Sequence, residues 1–310
     1  MKHIILITGG TGFIGSHLID RLITKNKVRV IDKLSSEYLK SSIKSKSIDF
    51  HKHNLLKENS KIFNNVDEVF HFAALSDIRS TATKPKTTFK ENVDMTLNVL
   101  ESCRKNDVQK IIFASTSTVY GIAKIPTPEN HIVNPISIYA ASKVACEACI
   151  QTYSNFYGID AIILRYANIF GPRTKKSVVR DFFYKLMEKG KRLEILGNGK
   201  QNKSYLYIDD CIDATLCAVK NSNGYEIYNV GHEEQITVDD IALEVINAMG
   251  LSKVKFVYTG GEQGWAGDVP NMLLDISKLK ELGWSPKISI KEGIKKYIEY
   301  LKQYNSKQTI

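Results

Sequence analysis

The sequence predicts an α/β protein: a doubly wound parallel sheet with a smaller mixed α/β lobe in its C-terminal part. Three observations carry that reading. Five apolar runs, HIILIT, KVRVID, EVFHFAA, KIIFAS and AIILRYAN, lack the alternation of a half-exposed sheet and suit strands buried on both faces. The stretches SHLIDRLIT, VDMTLNVLESCRKN and AASKVACEACIQTYSNFY repeat apolar residues at helical spacing, and strands alternating with helices imply a sheet covered on both sides. After Phe170-Gly171-Pro172-Arg173 the rhythm changes.

The first strand, HIILIT, opens directly into glycines and then a helix, and KVRVID follows as the second strand. A short strand precedes Asn54-Leu55, and EVFHFAA and KIIFAS supply central strands. Beyond Arg173 the pattern predicts a helix over VVRDFFYKLMEKG, a Gly-rich turn within LEILGNGKQNKSYLYIDD, a helix from about Asp210 to Lys220 and a strand at YEIYNVG. Thr237 is placed to N-cap the next helix, with Asp240 three residues on in capping-box style, and the tail ends in a helix after Ile290. Residues 1–172 are expected to form mainly the sheet domain and 173–310 mainly the second lobe, with segments around 204–248 returning to the sheet domain.

Composition narrows the function classes. The 310 residues hold 43% apolar and 25% charged side chains, a balance that supports a buried core rather than disorder. Lys and Arg number 43 against 33 Asp and Glu, a formal charge of +10 that favours anionic ligands. The lysines are scattered among acidic residues, with no basic arm and no basic stretch interleaved with aromatics, so nucleic acid is not an expected partner. No run approaches ~18 continuous apolar residues, and the opening segment does not read as a cleavable signal peptide. No membrane association and a cytoplasmic location are therefore expected. Five cysteines suit reduced thiols. Cys146 and Cys149 form a CxxC within a helical stretch, with no second pair at zinc spacing; the reading is buried small side chains, redox or metal use being the alternative, and no metal is expected.

Gly9-Gly10-Thr11-Gly12-Phe13-Ile14-Gly15 follows the first strand and opens a helix. That context meets the needs of a dinucleotide site: a tight turn, close backbone approach to a pyrophosphate, and a helix N terminus whose N–H groups bind the anion. The sheet domain is thus expected to be of Rossmann type. Asp32 ends the second strand 17 residues beyond Gly15, where a carboxylate accepts the adenosine ribose hydroxyls, which favours NAD over NADP. Lys33 beside it is a complication, since it can neutralise Asp32. Asn54 and Leu55 are candidates for the adenine edge, and Phe72, Ala73 and Ala74 for small residues under the cofactor.

Thr116, Tyr139 and Lys143 form the candidate reacting set. Tyr139 and Lys143 are four apart in a helical stretch and project from one face. Alone, the pair reads as a solvated phenol and ammonium; the dinucleotide site changes that reading. Near a charged nicotinamide and the Lys143 ammonium the phenolate is favoured, so that Tyr139 becomes available as a general base. Lys143 has the reach to donate to the nicotinamide ribose. Thr116, at the C-terminal end of KIIFAS, is placed to hydrogen-bond the reacting oxygen. The set suits hydride transfer at a carbinol.

TGGTGFIGSHL, Asp32, HFAA, ENVDMTLNVLE, STSTVYG, YAASK, LRYANIFGPR, GNGKQNKSYLYIDD and GWAGDVPNMLLDISKLKELGWSP run in one order along essentially the whole chain. With them the sequence closely resembles the extended short-chain dehydrogenase/reductase family, within it the NAD-dependent nucleotide-sugar epimerases and dehydratases. The resemblance implies that Gly9, Gly12 and Gly15 serve the pyrophosphate, Asp32 the ribose, and Tyr139 and Lys143 the catalytic Tyr-x-x-x-Lys pair. Thr116 falls on the family's Ser/Thr position, Asn92 on an asparagine near the nicotinamide half, and Tyr166 in the segment shaping the nicotinamide pocket. Asn168 matches a sugar-diphosphate contact, while Ser177, Val178, Lys203, Tyr205 and Asp268 fall where the second lobe clamps the substrate nucleotide. Two positions depart from the pattern. Lys203-Ser204-Tyr205 stands where arginine usually opens an Arg-Asp-Phe/Tyr segment, and Trp265 stands where an arginine usually precedes Gly-Asp by two residues. Arg173, Arg180 or, less well placed, Arg79 near the sugar end is the candidate replacement.

Dehydratases of this family typically carry Asp-Glu directly after the active-site threonine; this chain has Ser117-Thr118, which removes the acid and base that dehydration needs. Thr116, Ser117 and Tyr139 are then expected to face the sugar. The expected reaction is interconversion of UDP-glucose and UDP-galactose through a 4-keto intermediate with tightly held NAD. Epimerisation of an N-acetylated or uronic sugar nucleotide is the alternative, with 4,6-dehydration or net oxidoreduction behind it. The resemblance also implies a homodimer packed through the helices containing Thr96 to Lys105 and Tyr139 to Tyr153.

Overall fold

The computed structural model describes residues 3–34, 48–76, 83–265 and 267–306. The chain divides into two compact units. The first comprises Met1–Gly121, Ile132–Tyr166 and Thr215–Tyr228; the second comprises Ile122–His131, Ala167–Ala214 and Asn229–Ile310.

The first unit is the expected Rossmann-type sheet. Its elements are β1 (Ile4–Thr8), α1 (Phe13–Leu22), β2 (Lys27–Asp32), β3 (Ile48–Lys52), β4 (Glu68–His71), α2 (Pro85–Lys105), β5 (Lys110–Thr116), α3 (Ile138–Tyr157) and β6 (Asp160–Tyr166). The strand order is β3-β2-β1-β4-β5-β6, with Tyr225–Val230 outside β6 as the seventh strand. The pairings from β3 to β6 are parallel. Because β1 pairs with both β2 and β4, the order reverses there, and in doubly wound sheets ligands bind beyond the C-terminal ends of the strands at such a switch. Leu6, Val69, Ile111, Phe113 and Ile163 form one core with Met95, Val99, Leu100 and Cys103 of α2 and Cys146 and Ile150 of α3. Each fully buried Val, Leu, Ile or Phe among them contributes roughly 1.5–3 kcal/mol.

Local chemistry sets the helix ends. Pro85 begins α2, where a missing N–H costs nothing. Ser137 caps α3 by accepting from the Ala140 N–H at 3.2 Å, and Gly158 ends it in the left-handed region. Phe89 of α2 and Ile138, Phe156 and Tyr157 of α3 are exposed. The five cysteines are free thiols, Cys103, Cys146 and Cys211 being buried.

The second unit is mixed α/β. Its chain runs through β7 (Asn168–Phe170), α4 (Val178–Lys189), β8 (Arg192–Ile195), β9 (Asn202–Lys203) and β10 (Tyr205–Tyr207) into α5 (Ile208–Asn221). After the strand at the sheet edge, here β11, follow β12 (Ile236–Thr237), α6 (Val238–Met249), β13 (Lys255–Tyr258), β14 (Asn271–Met272), α7 (Ser277–Glu281) and α8 (Ile290–Ser306). Short sheets pair β10 with β7, β13 with β8, and β12 and β14 with β9, and α4, α6 and α8 pack on one another. Gly293 lets α8 approach closely, since a Cβ there would lie 2.8 Å from the Phe170 ring. Thr237 does cap α6, accepting from the Asp240 N–H at 3.0 Å. The reciprocal half of the box differs: the Asp240 carboxylate takes the Thr237 hydroxyl at 2.6 Å, its side chain being one methylene shorter than the glutamate that reaches back to the N-cap N–H. Among the described residues no helix is long and apolar enough to cross a membrane.

Candidate active site

The glycine segment is built for a close approach of backbone. Gly9 takes φ +68°, and a Cβ on it would sit 2.7 Å from the Ala73 nitrogen; one on Gly15 would meet the Gly9 carbonyl oxygen at 2.6 Å. Any side chain at either position would push the turn apart. Gly12 is the N-cap of α1 and supplies no capping side chain, so the first-turn N–H groups, including those of Phe13 and Ile14, remain to bind an anion. This strand–turn–helix fits the pyrophosphate of a dinucleotide.

Asp32 lies at the neighbouring strand end and is half-buried. Its Oδ2 accepts from both the N–H and the hydroxyl of Thr11, at 3.1 and 2.7 Å, and its Oδ1 accepts from the Leu34 N–H at 3.1 Å. Thr11, which sequence reasoning passed over between its glycines, therefore orients the carboxylate. Lys33 is exposed. Asn54 turns back on its own loop, accepting from the Leu56 N–H at 3.2 Å, while Leu55 is buried and its carbonyl accepts from Asn98 at 2.8 Å.

Beneath the glycine turn runs a buried chain of hydrogen bonds that was not expected. The Thr8 hydroxyl accepts from the Ala73 N–H at 3.3 Å and lies 2.8 Å from His71 Nδ1, and His71 Nε2 lies 3.1 Å from the Thr96 hydroxyl. Thr96 in turn donates to the Asn92 carbonyl at 2.9 Å. Those directions leave His71 accepting at Nδ1 and donating from Nε2, the neutral tautomer. Burial, with the Lys143 charge nearby, pushes its pKa down to about 3. Phe72, Ala73 and Ala74 continue from this strand end, half-buried, and the Phe72 ring meets Tyr166 edge-on at 6.4 Å. The Tyr166 hydroxyl is 2.8 Å from that of Thr215.

Asn92 joins two parts of the site: it accepts from the Leu75 N–H at 2.7 Å and donates to Ser142 at 2.9 Å, whose hydroxyl donates to the Tyr139 carbonyl at 2.7 Å. The helical turn bearing Tyr139 is thus tied to the loop after β4. Thr116 ends β5 and caps the short turn Ser117–Tyr120, accepting from the Thr118 N–H at 3.2 Å, with the two hydroxyls 3.0 Å apart. Ser117 is buried.

Tyr139 and Lys143 are not a solvated surface pair: they are 9% and 2% exposed. Burial drives both toward neutrality, pushing the Tyr139 phenol above the ordinary tyrosine range and the Lys143 ammonium down to about 8. The Lys143 Nζ lies 3.9 Å from the centre of the Phe113 ring. The phenol shift is opposite in sign to the one expected with a charged nicotinamide beside it, because the protein contributes desolvation and no cofactor charge.

The remaining candidates lie in the second unit. The Asn168 amide donates to the Ser204 carbonyl at 3.1 Å. Ser177 caps α4, accepting from the Arg180 N–H at 3.2 Å, and Val178 is the first residue of that helix. Lys203 forms an ion pair with Asp268, the two side chains being 14% and 5% exposed, so two residues named separately from the sequence neutralise each other. Tyr205 is buried. Arg173 adopts φ +68°, a strained conformation for a residue with a Cβ, and the Arg180 guanidinium lies over the Tyr184 ring at 4.5 Å. Arg79 and Ala266 fall outside the described residues.

Residues 5–231 match the NAD dependent epimerase/dehydratase family. A putative UDP-glucose 4-epimerase of Methanocaldococcus jannaschii is 34% identical, over 97% of this chain and 99% of that protein. Among solved structures, the Thermotoga maritima UDP-glucose 4-epimerase with UDP-glucose superposes with a TM-score of 0.89 at 34% identity, covering 97% of this chain and 99% of that one. The UDP-glucuronic acid 4-epimerase of Bacillus cereus, in complex with UDP-glucuronic acid and NAD, gives 0.90 at 29% identity with the same coverage.

Proposed function

The chain belongs to the NAD-dependent epimerase/dehydratase family, and from that premise we propose that it is a nucleotide-sugar 4-epimerase acting on UDP-glucose and UDP-galactose. The observation that carries the reaction type is the turn after β5: where dehydration needs two carboxylates, Ser117 and Thr118 offer hydroxyls, and Thr118 is turned back onto Thr116. The choice of sugar rests on the likeness to the UDP-glucose 4-epimerases; the uronic alternative draws on the likeness to the Bacillus cereus enzyme.

In this reading Gly9, Gly12 and Gly15 let the backbone approach the NAD pyrophosphate, which the Phe13 and Ile14 N–H groups would hold, while Asp32 would take the adenosine ribose and Lys143 would donate to the nicotinamide ribose. NAD supplies a hydride acceptor that returns what it takes, so turnover consumes no cofactor. With the Lys143 ammonium and the positive nicotinamide beside it favouring the phenolate, Tyr139 would receive the C4 hydroxyl proton on its phenolic oxygen and give it back. Thr116, whose oxygen already accepts from Thr118, has its own hydroxyl hydrogen to orient that same substrate oxygen. Lys143, held protonated, counters the charge on the Tyr139 oxygen. The buried setting excludes water.

Asp32→Ala is expected to weaken NAD⁺ binding by about tenfold or more, the usual worth of a charge-assisted hydrogen bond, and to narrow the preference over NADP⁺. Titration calorimetry with both dinucleotides measures this; tighter NADP⁺ binding by the unsubstituted protein removes the ribose role from Asp32.

The reaction is tested with substrate deuterated at C4. The label is expected to remain at C4 of the epimerised UDP-hexose, with no deuterium gained there from D₂O and no net NADH. Loss of the label contradicts return of the same hydride. A 4-keto-6-deoxy product makes the protein a dehydratase, and stoichiometric NADH an oxidoreductase. Turnover of only an N-acetylated or uronic analogue changes the substrate and keeps the chemistry.

A further inference from the structure

Four side chains outside the reacting set are buried together in the first unit. Glu147 of α3 and Arg165 of β6 are 5% and 4% exposed. Arg165 holds the carboxylate with two nitrogens, Nε to Oε1 at 3.2 Å and Nη2 to Oε2 at 2.7 Å. Its Nη1 donates to the Tyr120 hydroxyl at 2.9 Å, with the guanidinium over the Tyr120 ring at 4.8 Å. The Ser115 hydroxyl donates to Glu147 Oε1.

A buried ion pair is a poor device for stability alone, because desolvating two charges cancels most of their attraction. What this pair joins is more informative. Glu147 lies one helical turn beyond Lys143 and two beyond Tyr139, on the same face of α3. Ser115 directly precedes Thr116, and Tyr120 ends the turn that Thr116 caps. Each element that bears a reacting residue is therefore hydrogen-bonded to this one cluster.

We propose that Glu147 and Arg165, with Ser115 and Tyr120, are positioning residues that fix Tyr139 and Lys143 relative to Thr116, and that the Glu147 carboxylate helps keep Lys143 an ammonium. The proposal rests on the reading of those three residues as the reacting set.

The surroundings of Lys143 set the sign of the expected effect. Burial disfavours its charged form, and of the groups its own helix presents, Tyr139, Cys146 and Glu147, first Cys146 and then Glu147 favour it. From β5 comes the Phe113 ring, from β4 the uncharged His71, and from α2 the neutral Asn92 and Thr96, which bond Ser142, His71 and Cys146. Arg165 of β6 stands behind Glu147, and Tyr225 of β11 faces that pair. Glu147→Gln removes a negative charge that favours the Lys143 ammonium, so Lys143 is expected to release its proton at lower pH.

The test compares the full-length protein with Glu147→Gln and with the double variant Glu147→Gln/Arg165→Met. Lys143 is titrated by ¹⁵N-lysine NMR without substrate or dinucleotide, its resonance assigned by its loss in Lys143→Met. In Glu147→Gln, Lys143 is expected to titrate about one pH unit lower, and kcat for UDP-hexose epimerisation to fall ~10–100-fold with KM within about threefold, as for a small displacement of reacting groups. The double variant is expected to regain thermal stability but not turnover, whereas a purely structural pair would regain both. Should Glu147→Gln not fold, Ser115→Ala and Tyr120→Phe keep both charges, and each is expected to lose kcat several-fold with its melting temperature little changed. An unmoved Lys143 titration with wild-type kcat, full turnover in the double variant, or wild-type kcat in both mild variants overturns the proposal. A moved titration in a protein that turns over no UDP-hexose supports the charge coupling and fails only the substrate assignment.

Discussion

Replacing Tyr139 by phenylalanine is expected to lower turnover by ~10²–10⁴-fold, the usual worth of a positioned general acid–base. The substitution keeps the ring in its buried place and removes only the hydroxyl, so the core around it is left without a cavity. Dinucleotide affinity should stay within about threefold, because the glycine turn, Asp32 and Lys143 are untouched. Since burial alone raises the Tyr139 phenol and lowers Lys143 to about 8, the chain by itself holds Tyr139 protonated at neutral pH. The phenol hydroxyl is proposed to move the proton and not to hold the dinucleotide, so the loss should appear in kcat and not in NAD binding. Steady-state kinetics and calorimetry on the same preparation measure both, and wild-type turnover in Tyr139→Phe would show that another group moves the proton.

Acid sensitivity of the fold is the second large effect, and it belongs to His71. Its pKa is pushed from 6.5 down to about 3 by burial, while in the unfolded chain the ring titrates near its ordinary value. Between those values the unfolded state binds a proton that the folded state refuses. The stability contributed by neutral His71 is thus fully present above about pH 6.5 and is lost as pH falls toward 3. The slope approaches about 1.4 kcal/mol per pH unit. Urea unfolding followed from pH 7 to 5 should show this decline in the wild type. His71→Gln should be less stable at pH 7, because Thr8 and Thr96 lose a fitted partner, yet its curve should be flatter over the same interval. Parallel curves for the two proteins would place the proton uptake elsewhere.

The sheet and its crossovers are readable from the sequence because each depends on local patterning. Unbroken apolar runs can be satisfied only by strands with two covered faces, and the helical repeats between them by crossovers packed on the sheet; the seven-stranded order agrees with that reading. The glycine turn was likewise legible, since a left-handed Gly9 and a crowded Gly15 leave no room for another residue.

Other features depend on partners distant in the chain, and no period or spacing encodes them. Ile122–His131, which sequence position would assign to the first half, belongs to the second unit. There Thr127 bridges Leu274, and Glu129 accepts from the Asn229 N–H at 2.9 Å. Lys203 and Asp268, 65 residues apart and both expected at the substrate nucleotide, form an ion pair with each other.

By itself the sequence determined the α/β architecture, the glycine-rich strand-to-helix turn and the residue types able to carry hydride chemistry, because these follow from burial periodicity, backbone sterics and side-chain reactivity acting over a few residues. Only the tertiary structure decided that Thr11 holds Asp32, that His71 is buried neutral beneath the turn, and that Arg165 pairs with Glu147, one helical turn beyond Lys143. A hydrogen bond or ion pair requires its two groups within about 3 Å, and residues far apart in sequence meet that condition only once the sheet has brought their strands and helices together.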